Sequence, residues 1–78
     1  MNDISIIRLD DGKEYYLVDN IVYNNVKYIL LSFVSDVKDI CIRKMLIENG
    51  EEIIAYLEED EFDTIFNMFY EKNKALIN

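Results

Sequence analysis

The stretch Leu57 to Phe69, LEEDEFDTIFNMF, is where the chain changes its period, and the fold turns on it. From about Asp60 the apolar residues Phe62, Ile65, Phe66 and Phe69 fall at i, i+3, i+4 and i+7, the stripe of an amphipathic helix. We place that helix at about 60–74. Five carboxylates crowd its start: Glu58, Glu59, Asp60, Glu61 and Asp63. The unsatisfied N–H groups and the positive dipole end of a helix favour negative charge there, each effect worth about 0.3 to 1 kcal/mol, and Asp60 is the natural N-cap. Lys72 and Lys74 complement the other end. Helix physics therefore accounts for the acidic cluster without a ligand. What it leaves over is mutual repulsion, which a cationic partner surface or a divalent ion would relieve.

Upstream the period is two. Short runs rich in β-branched and aromatic residues, at about 4–9, 14–19, 26–33, 40–47 and 52–56, read as strands. The turn signals DDG (Asp10 to Gly12), YNN (Tyr23 to Asn25), SDVKD (Ser35 to Asp39) and ENGE (Glu48 to Glu51) separate them. Ile40, Ile42 and Lys44 alternate with Cys41, Arg43 and Met45, whereas YILL is apolar on both faces and reads as a central strand. With no proline, two glycines, no linker and no repeat, residues 1–78 form a single domain. The fold expected is α+β: a small antiparallel β-meander of about five strands packed by one C-terminal α-helix.

Eight Lys and Arg stand against 16 Asp and Glu, a net charge of −8. A phosphate backbone repels such a surface, so direct nucleic-acid binding is disfavoured, while a basic partner protein is attracted. A lone cysteine and the absence of histidine argue against a disulfide and a zinc site, and suit a reducing cytoplasm. The start, MNDISIIRLDDGKEYY, has no secretory pattern, and no apolar run approaches the roughly 20 residues of a membrane span.

Catalysis finds little to work with. Cys41 lies between Ile40 and Ile42 with no histidine to make its thiolate, and reads as a packing residue. DDGKE and ENGEE are hairpin turns before they are calcium loops, and two isolated glycines make neither nucleotide-binding pattern. Tyr15, Tyr16, Tyr23 and Tyr28 could stack bases, but the basic groove such sites need is missing, so cross-strand aromatic pairing is the better reading. We expect no enzyme activity, no cofactor and no metal.

The order ISIIRLDDGKEYYLVDNIVYNNVKYILL, ICIRKMLIENGEE, LEEDEFDTIFNMF resembles the small bacterial family of unknown function DUF1292, the YrzB-like proteins. The matching pieces are the acidic glycine turn at Leu9 to Glu14, the strand at Lys27 to Leu31, the strand at Ile40 to Met45, the turn at Asn49 to Glu52 and the acidic helix start at Asp60 to Ile65. SDVKDICIRKM and YNNVKY depart from the pattern. The resemblance implies a compact antiparallel sheet with a C-terminal helix, and it carries no catalytic or ligand residue.

The function expected is that of a small acidic, non-enzymatic protein-interaction domain, meeting a protein partner through a sheet edge or the helix start. Its candidate partner-binding residues are Glu51, Glu52, Glu58, Glu59, Asp60, Glu61 and Asp63. The alternative is an acidic nucleic-acid mimic, of the phage inhibitor type, whose carboxylates imitate phosphates in a basic groove. A homodimer through the second face of YILLSF or a free strand edge is a further option.

Overall fold

The computed structural model describes residues 4–77. Five strands, β1 (Ile6–Arg8), β2 (Glu14–Tyr23), β3 (Val26–Phe33), β4 (Asp36–Glu48) and β5 (Glu51–Ala55), precede one helix, α1 (Glu59–Ile77). The strands pair antiparallel in the order β1-β2-β3-β4-β5, the α+β meander expected from the sequence.

Two of the turns are set by residues that tolerate positive φ. Asn24 and Asn25 (φ 52° and 64°) join Tyr23 to its partner Val26, and Asn49 and Gly50 (φ 52° and 82°) join Glu48 to Glu51. Left-handed conformation at both central positions gives the turn whose twist matches that of the flanking strands. In the longer first turn the Asp11 carboxylate accepts the Lys13 N–H (2.8 Å) and the Tyr15 hydroxyl (3.0 Å).

Two strands run further than the sequence predicts. β2 continues to Tyr23 instead of ending near Asp19, and β4 begins at Asp36 instead of Ile40. Irregularities in register hide both extensions. On β2, Leu17 pairs with Leu31 but Asp19 pairs with Leu30, so Val18 is an extra residue, a β-bulge. The bulge reverses the parity of the strand: Tyr15 and Leu17 pack with Leu31 on one face of the sheet, and Ile21 packs with Tyr28 on the other. On β4, Ser32 pairs with Ile40 and Phe33 with Asp36, so the SDVKD segment belongs largely to β4, as a wide irregularity and not a break. There the Ser32 hydroxyl donates to the Val37 carbonyl at 2.7 Å, giving a partner to a backbone group the ladder leaves out.

The sheet curls into a half-barrel, and its two faces make two cores. Inside the curl, Leu9, Tyr15, Ile29 and Leu31 are buried, with Ile7 and Ile54 of the opposite edge strands packed against them. Outside, Ile65 and Phe69 of α1 are buried on Tyr28 and Ile42. β3 is central and alternates between the cores, which explains why YILL is apolar throughout. Tyr15 and Tyr28 lie in different cores and form no common platform; Tyr15 instead pairs with Phe33, ring centroids 5.5 Å apart.

The far half of α1 is fastened to β2. Asp19, brought to the outer face by the bulge, accepts Lys72 Nζ at 2.7 Å and Asn73 Nδ2 at 3.0 Å. Burial pushes the Asp19 carboxyl up, but these bonds outweigh it and hold the group below its ordinary range. Among the described residues, no helix is long and apolar enough to cross a membrane.

Candidate partner-binding surface

The acidic start of α1 divides into one carboxylate turned onto the sheet and several that stay exposed. Glu58, not Asp60, is the N-cap: its carbonyl accepts the Phe62 N–H at 2.9 Å, and its own N–H donates to Oε1 of Glu61 at 2.9 Å. That second bond is the returning half of a capping box, with Glu61 three residues into the helix. The start falls two residues earlier than the sequence suggests because Leu57, just before the cap, packs into the outer core.

Glu61 also reaches the sheet. Its Oε2 accepts the Tyr28 hydroxyl at 2.5 Å and its Oε1 accepts Lys44 Nζ at 2.9 Å. Lys44 and Glu61 are both largely covered, their side chains 18% and 21% exposed, so this pair is no surface ornament. The Tyr28 hydrogen bond leads in holding the Glu61 carboxyl down at about 2, and Glu58 N–H and Lys44 add to it against the opposing push of burial. Burial, with Glu61 beside it, pushes the Tyr28 phenol up to about 12. An open cleft of about 360 Å³ adjoins this cluster, between the β2–β3 turn and the first turn of the helix. Its two shifted groups move away from neutrality in opposite directions, so the arrangement binds helix to sheet and poises neither group as an acid or base at pH 7.

The seven acidic residues singled out from the sequence do not form one cluster. Glu58, Glu59, Asp60 and Asp63 are exposed around the helix start, Asp60 accepting the Glu61 N–H at 2.9 Å, and Glu61 is turned inward. Glu51 and Glu52 lie at the end of β5 away from the helix, ~13 Å and ~10 Å from Ala55 at ~3.3 Å per residue, and adjacent strand positions point to opposite faces. Glu52 borders a second cavity of about 280 Å³ inside the curl, where Arg43 lies 4.3 Å over the Tyr56 ring. Among the described residues, no group of three or more His, Cys, Asp or Glu is placed to hold a metal ion.

Sequence reasoning missed Tyr28 and Lys44. The signal for Lys44 was its alternation with Ile40 and Ile42, which put a cation on an apolar face where it needs a carboxylate. Nothing local marks Tyr28, whose partner is brought by the tertiary fold. The helix stripe is also narrower than expected. Ile65 and Phe69 are buried, but Phe62 and Phe66 remain 41% and 40% exposed, and Tyr70 continues their line at 47%. Phe62 and Phe66 stack on each other, centroids 5.8 Å apart, and with Tyr70 they make an aromatic flank along α1. An apolar slot of about 110 Å³ runs between this flank and Ile40 of β4.

Compared with known proteins, the chain matches no family model, no curated protein and no solved structure at a significant level.

Proposed function

We propose that this chain is a non-enzymatic protein-interaction domain that meets its partner along the aromatic flank of α1, with the exposed carboxylates of the helix start as the rim. The observation that carries this reading is the row Phe62, Phe66 and Tyr70, three aromatic side chains 40% or more exposed on one helix edge. Fully burying one such side chain is worth about 1.5 to 3 kcal/mol, and contiguous apolar patches with a polar border are typical of association surfaces. The lone Cys41 suits a reducing cytoplasm as its setting. The resemblance to the DUF1292 proteins is compatible with this reading and adds no residue to it.

The mimic reading draws on the charge of −8 and on Glu58, Glu59, Asp60 and Asp63. It has less support, because Glu61 is spent on Tyr28 and Lys44, and Glu51 and Glu52 stand apart on β5.

The experiment is capture of binding proteins from the producing cell with a photo-crosslinking residue at position 66, beside the Phe66→Ser/Tyr70→Ser double variant in an untethered pull-down. Crosslinks at position 66 and loss of the same proteins from the variant are expected. Recovery of identical proteins by wild type and variant would remove the aromatic flank from any role.

A further inference from the structure

An antiparallel meander with an odd number of strands ends in two open edges that run in the same direction. Here those edges are β1 and β5, and they do not pair with each other. The curl makes them opposite walls of one space. Ile7 and Ile54 pack on the same inner core, and the cavity of about 280 Å³ is bordered by Arg8, Leu9 and Asp10 on one side and by Glu52, Ile54 and Tyr56 on the other.

Each edge keeps one set of backbone groups unused. The two-residue turn at Asn49 and Gly50 makes Glu48 and Glu51 a hydrogen-bonded pair. In the antiparallel alternation Glu51, Ile53 and Ala55 then turn their N–H and C=O groups to β4, and Glu52 and Ile54 turn theirs outward. On β1 the bonds from Leu9 N–H to the Lys13 carbonyl and from Leu17 N–H to the Ser5 carbonyl fix the alternation, and Ile6 and Arg8 face outward. Among the described residues, no backbone group outside the strand ladders bonds to any of these four. A strand paired to β5 would lie ~4.8 Å from it, in the space of the cavity, with β1 on its far side. Antiparallel to β5, it is antiparallel to β1 as well, so one strand turns the open curl into a closed barrel of six with no edge left. A second copy of the chain would bring its own β4 beside its β5, and β1 stands where that strand would have to go. The space takes a lone strand.

We propose that the occupant is an extended segment of a partner protein that inserts between β5 and β1 as a sixth strand and carries the pattern acidic-x-apolar-x-basic. Running antiparallel to β5, its three alternate inward residues stand opposite Tyr56, Ile54 and Glu52 in that order. The middle one meets Ile54 and Leu9 and is apolar. The charges of the outer two follow from their neighbours. Arg43 lies 4.3 Å over the Tyr56 ring, and among the described residues the four ion pairs, Arg8–Glu14, Lys44–Glu61, Lys72–Asp19 and Lys74–Glu71, include neither Arg43 nor Glu52. A carboxylate opposite Tyr56 complements Arg43, and a cation at the other end complements Glu52. Main-chain bonds to the outward groups of β5 and β1 supply affinity, and the three inward side chains supply specificity. This surface is separate from the aromatic flank of α1.

The test titrates the end-capped peptide Thr-Glu-Thr-Ile-Thr-Lys-Thr into the isotope-labelled full chain, following the amide signals by NMR. Two mates are compared with it, one with Glu and Lys exchanged and one N-methylated at Ile, so that the protein itself is never altered. Sedimentation of the protein alone accompanies the titration. Expected are shifts at Leu9, Glu52, Ile54 and Tyr56, with Phe66 and Tyr70 unmoved. At saturation the Glu52 and Ile54 amides should exchange with solvent about tenfold more slowly than in the protein alone. N-methylation should raise Kd about tenfold and the exchange of charges at least about threefold. Absent binding, equal binding of the three peptides, or shifts at these positions without slowed exchange would overturn the proposal. So would a dimer that already buries the β5 edge. Crosslinks at position 66 together with a peptide that does not bind sink this inference alone and leave the reading of the aromatic flank standing.

Discussion

The hydroxyl of Tyr28 donates a 2.5 Å hydrogen bond to Oε2 of Glu61, 33 residues further along the chain, and so ties the central strand to the first turn of the helix. The same carboxylate accepts from Lys44 and from the Glu58 N–H, so one side chain closes the helix cap and docks the helix at once.

Tyr28→Phe removes one charge-assisted bond and is expected to cost about 1 to 2 kcal/mol. Glu61→Gln removes the charge that all three donors use and is expected to cost roughly 2 to 3 kcal/mol, since it leaves Lys44 covered and unpaired. A double-mutant cycle by urea unfolding should give a coupling of about 1 kcal/mol between the two positions. Adding Lys44→Met to Glu61→Gln should recover part of the loss, because it removes the covered cation left unpaired while the amide oxygen still accepts from Tyr28. Additive single effects would show that the Tyr28 bond contributes nothing of its own.

Acid should loosen the fold over a defined window. The Glu61 carboxyl lies at about 2 against an ordinary value of 4.5, so its contribution is complete above 4.5 and is lost as pH falls toward 2. Asp19, also held below its ordinary range, acts in the same direction. Stability measured by urea titration across this window should decline less steeply in Glu61→Gln than in wild type. At the alkaline end the sign reverses: Tyr28 is raised from 10 to about 12, so its contribution is present below 10 and disappears as pH rises through 12. Phenolate absorbance should show at least one tyrosine ionising together with unfolding.

The turns offer a cleaner check on backbone energetics. Gly50 has φ +82°, and a methyl group there would meet nothing within 4 Å. Gly50→Ala should therefore cost about 1 kcal/mol through backbone conformation alone. Asn25→Gly, at φ 64°, should be neutral or stabilising by roughly half a kcal/mol. A lowered thermal unfolding midpoint for Gly50→Ala beside an unchanged or raised one for Asn25→Gly would bear this out, and a stabilising Gly50→Ala would contradict the turn geometry.

Cys41 packs against the inner core, and burial pushes its thiol up. A disulfide reagent at neutral pH should label it slowly in the native protein and at once in urea. Equal rates would mean that the inner face of β4 opens freely.

Most of the fold was legible because a meander is built from neighbours: each strand pairs with the next, and the turn residues between them are local signals. The ends of β2 and β4 were not, since Val18 and the Val37 to Asp39 segment interrupt the very alternation by which a strand is recognised. The acidic helix start was legible as a class of feature, and its first turn was shifted by Leu57 docking into a core that the sequence does not display. The division of its carboxylates into one inward and several outward was not legible, because it depends on Tyr28 and Lys44 arriving from other strands. The exposure of Phe66 was hidden for the same reason. Apolar spacing says which residues share a helix face, and the sheet's width and the Asp19 anchor decide how much of that face is covered.

The bulge at Val18 makes β2 a shared member of both cores, its first half lying inside the curl and its second half beneath the helix. Neither core can melt and leave the other a complete wall, so the domain lacks the seam along which independent subunits of folding separate. Its heat denaturation should be a single transition with equal calorimetric and van't Hoff enthalpies, and the slowest-exchanging amides should occur on both sides of Val18 with one common opening free energy.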